Sequence, residues 1–95
     1  MLTVVAMNYA DPNHLDEVLS LCRELVEITR GEKGCISYGV YQDAEHPELL
    51  TMIEEWKSRE DLDAHLHSAH FTRIVPQLGK RMTRPADMHV YEQII

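Results

Sequence analysis

Residues 2–9, Leu-Thr-Val-Val-Ala-Met-Asn-Tyr, are rich in β-forming side chains and apolar on both alternating faces. Leu2, Val4 and Ala6 fall on one face, Val5 and Met7 on the other. A strand with two apolar faces must be covered on both sides. The chain has 95 residues, enough for a single domain spanning 1–95 and too few for two. Its own helices can cover one face of a sheet. The other face then calls for a second copy of the chain, and a homodimer is expected.

The rest of the chain fits that frame. Asp11-Pro12-Asn13 ends the strand and supplies N-cap chemistry. A helix is predicted from about His14 to Thr29, with Leu15, Val18, Leu19, Cys22, Leu25 and Val26 at helical spacing. Gly31 and Gly34 offer stop signals after it. Cys35 to Gln42 and Leu49 to Trp56 read as a hairpin joined by a polar turn. Ser58, with Asp61 three residues on, opens a second helix carrying Leu62, His65 and Leu66. Ser68 restarts a helical pattern with Phe71, Ile74, Val75, Leu78 and Met82, which Pro76 is expected to kink or divide. Met88 to Ile94 is the last predicted strand. The order is βαββαβ, an α+β fold of the ferredoxin-like kind with an antiparallel sheet. Right-handed crossovers put both helical regions on one face.

Charge narrows the function. Sixteen acidic residues against nine basic ones give a net charge of −7. That balance argues against nucleic acid, which needs a basic footprint, and against an anionic membrane surface. No apolar run is long enough to span a bilayer. The first residues carry neither a charged leader nor a cleavage site, so no signal peptide is expected and a cytoplasmic location is the default. Cys22 and Cys35 sit among apolar residues and read as small core side chains.

Chemistry-bearing residues concentrate in one stretch. Glu54-Glu55-Trp56-Lys57-Ser58 runs into His65, His67, His70 and Phe71, and holds the only tryptophan and the only phenylalanine. That is the composition of a pocket mouth. The histidine spacings of two, three and five lack the H-E-x-x-H pattern, so no metal site is expected. No nucleophile elbow, phosphate loop or dinucleotide fingerprint occurs, so no cofactor is expected either. His65 is open to two readings: a hydrogen-bonded core histidine, or a general base in a cavity between helix and sheet. Trp56 is open to packing or chemistry. Asn8 shares the Leu2, Val4, Ala6 face, where an amide needs partners. Glu54 shares a face with Trp56, while Glu55 points the other way. Tyr38 and Tyr41 stand on a strand, where they can line a pocket or only pack. Asp61 and Asp63, on the same helix as His65, are expected to raise its basicity if they approach it.

Met1-Leu2-Thr3-Val4, Lys33-Gly34-Cys35, Ile53-Glu54-Glu55-Trp56, Ala64-His65-Leu66 and Ala69-His70-Phe71 together resemble the antibiotic-biosynthesis monooxygenase family, over nearly the whole chain. The E-x-W-x-S…A-H-L…H pattern is similar to that of its small quinol-monooxygenase-like members. The resemblance implies a dimeric α+β barrel with a pocket between helices and sheet in each subunit. It implies oxidation of a small aromatic quinol or phenol by O2 without metal, haem or flavin. It puts Trp56 and His65 on motif positions, Asn8 at a pocket asparagine of the first strand and His70 at a second motif histidine; His65, Trp56 and Asn8 are the catalytic candidates, and His70, Glu54, Tyr38 and Phe71 the substrate-binding ones. Two departures stand out. Met52 occupies a position where some biosynthetic oxygenases carry asparagine. The tryptophan and iron-ligating histidine of haem-degrading relatives are replaced by His65 and Val75. A further relative isomerises a phosphorylated dione with a histidine near His65, so proton transfer without oxygen is the alternative activity. A small-molecule-binding module without catalysis is the third.

Overall fold

The computed structural model describes residues 1–95. Strand β1 (Leu2–Tyr9) is followed by a short 3-10 turn at Pro12–His14 and helix α1 (Leu15–Thr29). The hairpin β2 (Cys35–Gln42) and β3 (Leu49–Trp56) comes next, then α2 (Arg59–Leu66), α3 (Ala69–Gly79) and β4 (Asp87–Glu92). The sheet is antiparallel throughout, in the order β2-β3-β1-β4. This is the ferredoxin-like α+β fold.

The alternation in β1 separates two environments. Leu2, Val4 and Ala6 are buried beneath the helices with Leu50, Met52 and Trp56 of β3. Val18, Cys22 and Leu25 of α1 complete that core with Leu62, Ile74 and Leu78 of α2 and α3. Val5 pairs in register with Ile53 and His89 on the other face, which no helix covers. Ile53 there is 39% exposed, and Tyr41 and Tyr91 are exposed as well.

Two local devices set the positions of α2 and α3. Ser58 caps α2: its hydroxyl accepts from the Asp61 amide and donates to the Asp61 carboxylate. Ser68 caps α3 by accepting from the Phe71 amide, and donates its own proton to the His65 carbonyl at 2.7 Å. The chain therefore breaks at His67–Ser68. It does not break at Pro76, where the sequence pointed: α3 runs undivided from Ala69 to Gly79 with Pro76 inside it. A proline in mid-helix forfeits one backbone bond, here the one Thr72 would have accepted. Burial of Ile74 and Leu78 on either side holds the segment helical despite that loss.

Gly34 is the one residue with positive φ, at 80°. A side chain there would also collide with the Asp61 carboxylate. Its carbonyl accepts from the Lys57 amide at 2.9 Å. The loop after α1 is thereby pressed against the start of α2, and residue 32 is carried to the flank of the helix that holds His65.

Candidate active site

Between the helices and the sheet lies a cavity of about 530 Å³. Of its 18 lining residues 11 are hydrophobic, so a ligand held there needs a substantial apolar body. Ala6 and Asn8 come from β1, Tyr38 from β2, Met52 and Glu54 from β3. Leu62, His65 and Leu66 of α2 face Phe71, Val75 and Leu78 of α3. The segment from Gly79 through Ala86 to Met88 forms the remaining wall, with Arg84 as its one cation.

Polar groups are few and each has a defined partner. The Nδ1 of His65 lies 2.5 Å from Oε2 of Glu32, and the ring is 1% exposed. Its Nε2 has no hydrogen-bond partner and is cut off from solvent. A carboxylate on Nδ1 fixes the tautomer with the proton on that nitrogen, leaving a free lone pair on Nε2. Burial pushes the basicity of His65 down, and this outweighs the upward pull of Glu32. The Trp56 indole donates to Oε1 of Glu54 at 2.9 Å. Glu54 is 4% exposed, and burial pushes its carboxyl from 4.5 to about 7 against the opposing Trp56 hydrogen bond. Asn8 is half-buried and donates to the Ala6 carbonyl. Tyr38 is buried, its hydroxyl 3.6 Å from the Met52 sulfur, and burial raises it well above the usual phenol range.

Of the residues singled out in the sequence, Asn8, Tyr38, Glu54, His65 and Phe71 all line the cavity. Trp56 and His70 do not. Trp56 is wholly buried behind the wall, its ring 4.7 Å from that of His65. It packs against His65 and does not line the cavity. His70 lies outside the lining and points to Oε2 of Glu32 at 3.1 Å. The carboxylate beside His65 is also not the expected one. Asp61 is engaged by Ser58, and Asp63 lies 3.4 Å from Arg59. The partner is Glu32, 33 residues away in sequence, and the net shift of His65 is downward. Gly34 was the available signal for Glu32, because a glycine-bounded loop at a strand entrance marks a close backbone approach.

The same glutamate decides what metal chemistry the site offers. Glu32, His65 and His70 bring their donor atoms within 4.8 Å of one another. Their separation at 2.5 Å between Glu32 and His65 is that of a shared proton. Two donors each about 2.0–2.1 Å from one ion stand farther apart, so a metal would have to part this pair. His67, the sequence's other histidine at usable spacing, is exposed and bonds its own helix at the Asp63 carbonyl. Neither cysteine offers a nucleophile: both are free, and burial pushes Cys22 up to about 11 and raises Cys35 as well.

The model of the family described as antibiotic biosynthesis monooxygenase matches residues 1–77. The chain belongs to that family. Among solved structures, a conserved protein from Methanosarcina mazei Go1 is 43% identical with a TM-score of 0.96, over 98% of this chain and 92% of that one. An uncharacterized protein of Synechocystis is 31% identical over 94% of this chain, which spans only 61% of that relative's length. The Escherichia coli K12 protein named "Probable quinol monooxygenase YgiN" is 34% identical over 74% of this chain and 77% of its own. The match to the antibiotic biosynthesis monooxygenase model ends at residue 77, so β1, β2, β3, α2 and most of α3 lie inside it and the Gly79–Met88 wall lies outside.

Glu54 yields a pH prediction. Its folded-state pKa lies above its unfolded value, so the stability it contributes is fully present below about pH 4.5 and is lost as pH rises through about 7. At 1.36 kcal/mol per unit the loss is about 3 kcal/mol. Urea titrations of wild type and Glu54→Gln should show the variant gaining on wild type by that order between pH 4.5 and 8. Parallel curves across the range would mean that Glu54 ionises freely in the fold.

Proposed function

We propose that this protein is a monooxygenase that oxidises an aromatic quinol or phenol with O2, the substrate's own anion supplying the electrons. The carrying observation is His65: a buried imidazole, fixed by Glu32 on one nitrogen and unpartnered on the other, in the wall of a largely apolar cavity. A phenol releases an electron far more readily as its anion, so a base that removes the hydroxyl proton governs the rate. Held neutral by burial, Nε2 of His65 serves as that base in this proposal once substrate entry uncovers the nitrogen, which the fold otherwise closes off from solvent. For a hydroquinone the overall change is hydroquinone plus O2 to hydroxyquinone plus water. One oxygen atom enters the ring and the other leaves as water, with no external reductant.

The named quinol relative supports the substrate class. The cavity supports it as well, because aromatic rings stack and wedge among Phe71, Leu66, Val75 and Met88. A phosphorylated dione is less well served. Arg84 is the only cation lining the cavity, and its guanidinium is engaged by Asp87 at 3.0 Å and lies 3.9 Å from the Tyr9 ring centre.

Oxygen uptake with a panel of hydroquinones, between about pH 5 and 9, is the test. Uptake above the uncatalysed rate is expected, rising from the acid side as His65 loses its proton below the ordinary histidine range. No uptake across the panel would count against the oxygenase. Anaerobic conversion at the full aerobic rate would favour proton transfer between adjacent carbons instead.

The protein works as a homodimer in this proposal. The uncovered sheet face bearing Val5, Ile53, Tyr41 and Tyr91 suits burial against the same face of a second copy. Light scattering should give twice the 11.0 kDa chain mass at micromolar concentration, and a monomer there would count against the barrel.

A further inference from the structure

Removing a proton from the substrate is half of the chemistry. Once oxygen has joined the ring, the adduct is a peroxide anion that needs a proton before its O–O bond can break to give water. Glu54 is placed to supply it. The side chain projects from β3, at the centre of the sheet, into the cavity lining. One oxygen is held by the Trp56 indole, and the other has no partner in the protein. No cation compensates it. The titratable groups around it are Tyr38 of β2, Cys35 at the entrance to β2, Glu32 in the preceding loop and His65 of α2, none a resident positive charge, and the cavity's one cation, Arg84, is paired with Asp87 instead. Its register partner on β1 is Val4, and the β1 residues that share its cavity, Ala6 and Asn8, are neutral. A buried carboxyl in such surroundings keeps its proton into the neutral range.

We propose that Glu54 is the proton donor of the reaction and the partner of His65 in a two-residue proton cycle. This assignment rests on the oxygenase function above. His65 Nε2 takes the hydroxyl proton of the quinol. The quinolate passes one electron to O2, and the resulting semiquinone and superoxide combine, forming the C–O bond. The Glu54 carboxyl protonates the outer oxygen of the peroxide. The Glu54 carboxylate then takes the proton from the oxygenated ring carbon as the O–O bond breaks and a new carbonyl forms. The departing hydroxide collects the proton held on His65 and leaves as water. Both residues return to their starting states, and hydroquinone plus O2 has become hydroxyquinone plus water.

Glu54→Gln is the discriminating variant, because the amide oxygen still accepts from Trp56 and the volume is nearly unchanged. With a naphthohydroquinone as probe, formation of the hydroxyquinone should fall by about 10²–10⁴. The oxygen that is consumed should reappear as hydrogen peroxide, because the adduct lacks its proton donor. Wild type should lose activity on the alkaline side near pH 7, and the variant should show no such limb. Emission from the single tryptophan should show a step near the same pH in wild type that Glu54→Gln lacks, since Trp56 bonds the ionising group, while any step on the acid side from the neighbouring His65 stays in both. An active wild type with a variant within about threefold of it, releasing no peroxide, would overturn the role of Glu54 and leave the oxygenase standing. A flat wild-type emission profile would overturn it also. A wild type that consumes no oxygen removes the oxygenase and this cycle together.

Discussion

Replacing His65 with alanine should leave a folded protein that has lost turnover by about 10²–10⁴, the range for removal of a general base. The fold survives because of what the ring leaves behind. Glu32 is partly open to water, at 17% side-chain exposure, and keeps His70 at 3.1 Å, so its carboxylate is not stranded. The Nε2 that disappears had no partner to lose. The rings of Trp56, Phe71 and Tyr38 lose a neighbour, which lowers the melting temperature modestly. Circular dichroism melting and oxygen uptake on the same preparation separate the two effects. A variant that melts early yet retains full turnover in its folded fraction would make His65 a core residue and nothing more.

Trp56→Ala should behave in the opposite sense, as a loss of stability first. Trp56 is wholly buried, at an edge-on 6.5 Å from Tyr38 and 4.7 Å from His65. Truncating a core aromatic of this size costs about 3–5 kcal/mol. For a domain near 100 residues, each kcal/mol shifts the melting temperature by about 4–8 °C, so a fall of more than about 12 °C is expected. Part of the effect is specific to Glu54, which would then be buried with no donor at all. Trp56→Phe keeps an aromatic ring in the core while deleting the indole N–H and one fused ring. It should recover most of the melting temperature while pushing Glu54 further toward its protonated form. If phenylalanine and alanine destabilise equally, the hydrogen bond to Glu54 matters more than the ring.

The element order was legible because each segment carries its own period: two in Leu2–Tyr9, three to four in Leu15–Thr29. Asn8, Glu54 and His65 were legible as cavity-facing residues for a related reason, since each interrupts an otherwise apolar face. Three features were hidden. The Glu32–His65 contact joins a loop to a helix 33 residues later, and no local pattern encodes it. Trp56 shares the Glu54 face but lies two residues farther along β3, behind the His65 ring, and His70 is turned by α3 toward Glu32, outside the wall. The helix through Pro76 persists because burial of its flanks, a tertiary effect, overrides a local breaker.

The cavity is assembled from two parts of the chain that are held in different ways. Asn8, Tyr38, Glu54 and His65 lie within residues 1–77, on strands and a helix locked by the core. Met82, Thr83, Arg84, Pro85 and Ala86 lie after that boundary, in a connection tied down by the Ala10–Met82 bridge, the Tyr9 carbonyl bonded to Thr83, and the Arg84–Asp87 pair. No side-chain hydrogen bond links that connection to Glu32, Glu54 or His65. Under the proposed oxygenase function, grafting the 80–87 segment of a homologue onto this scaffold should change which quinols are accepted while leaving the pH profile in place.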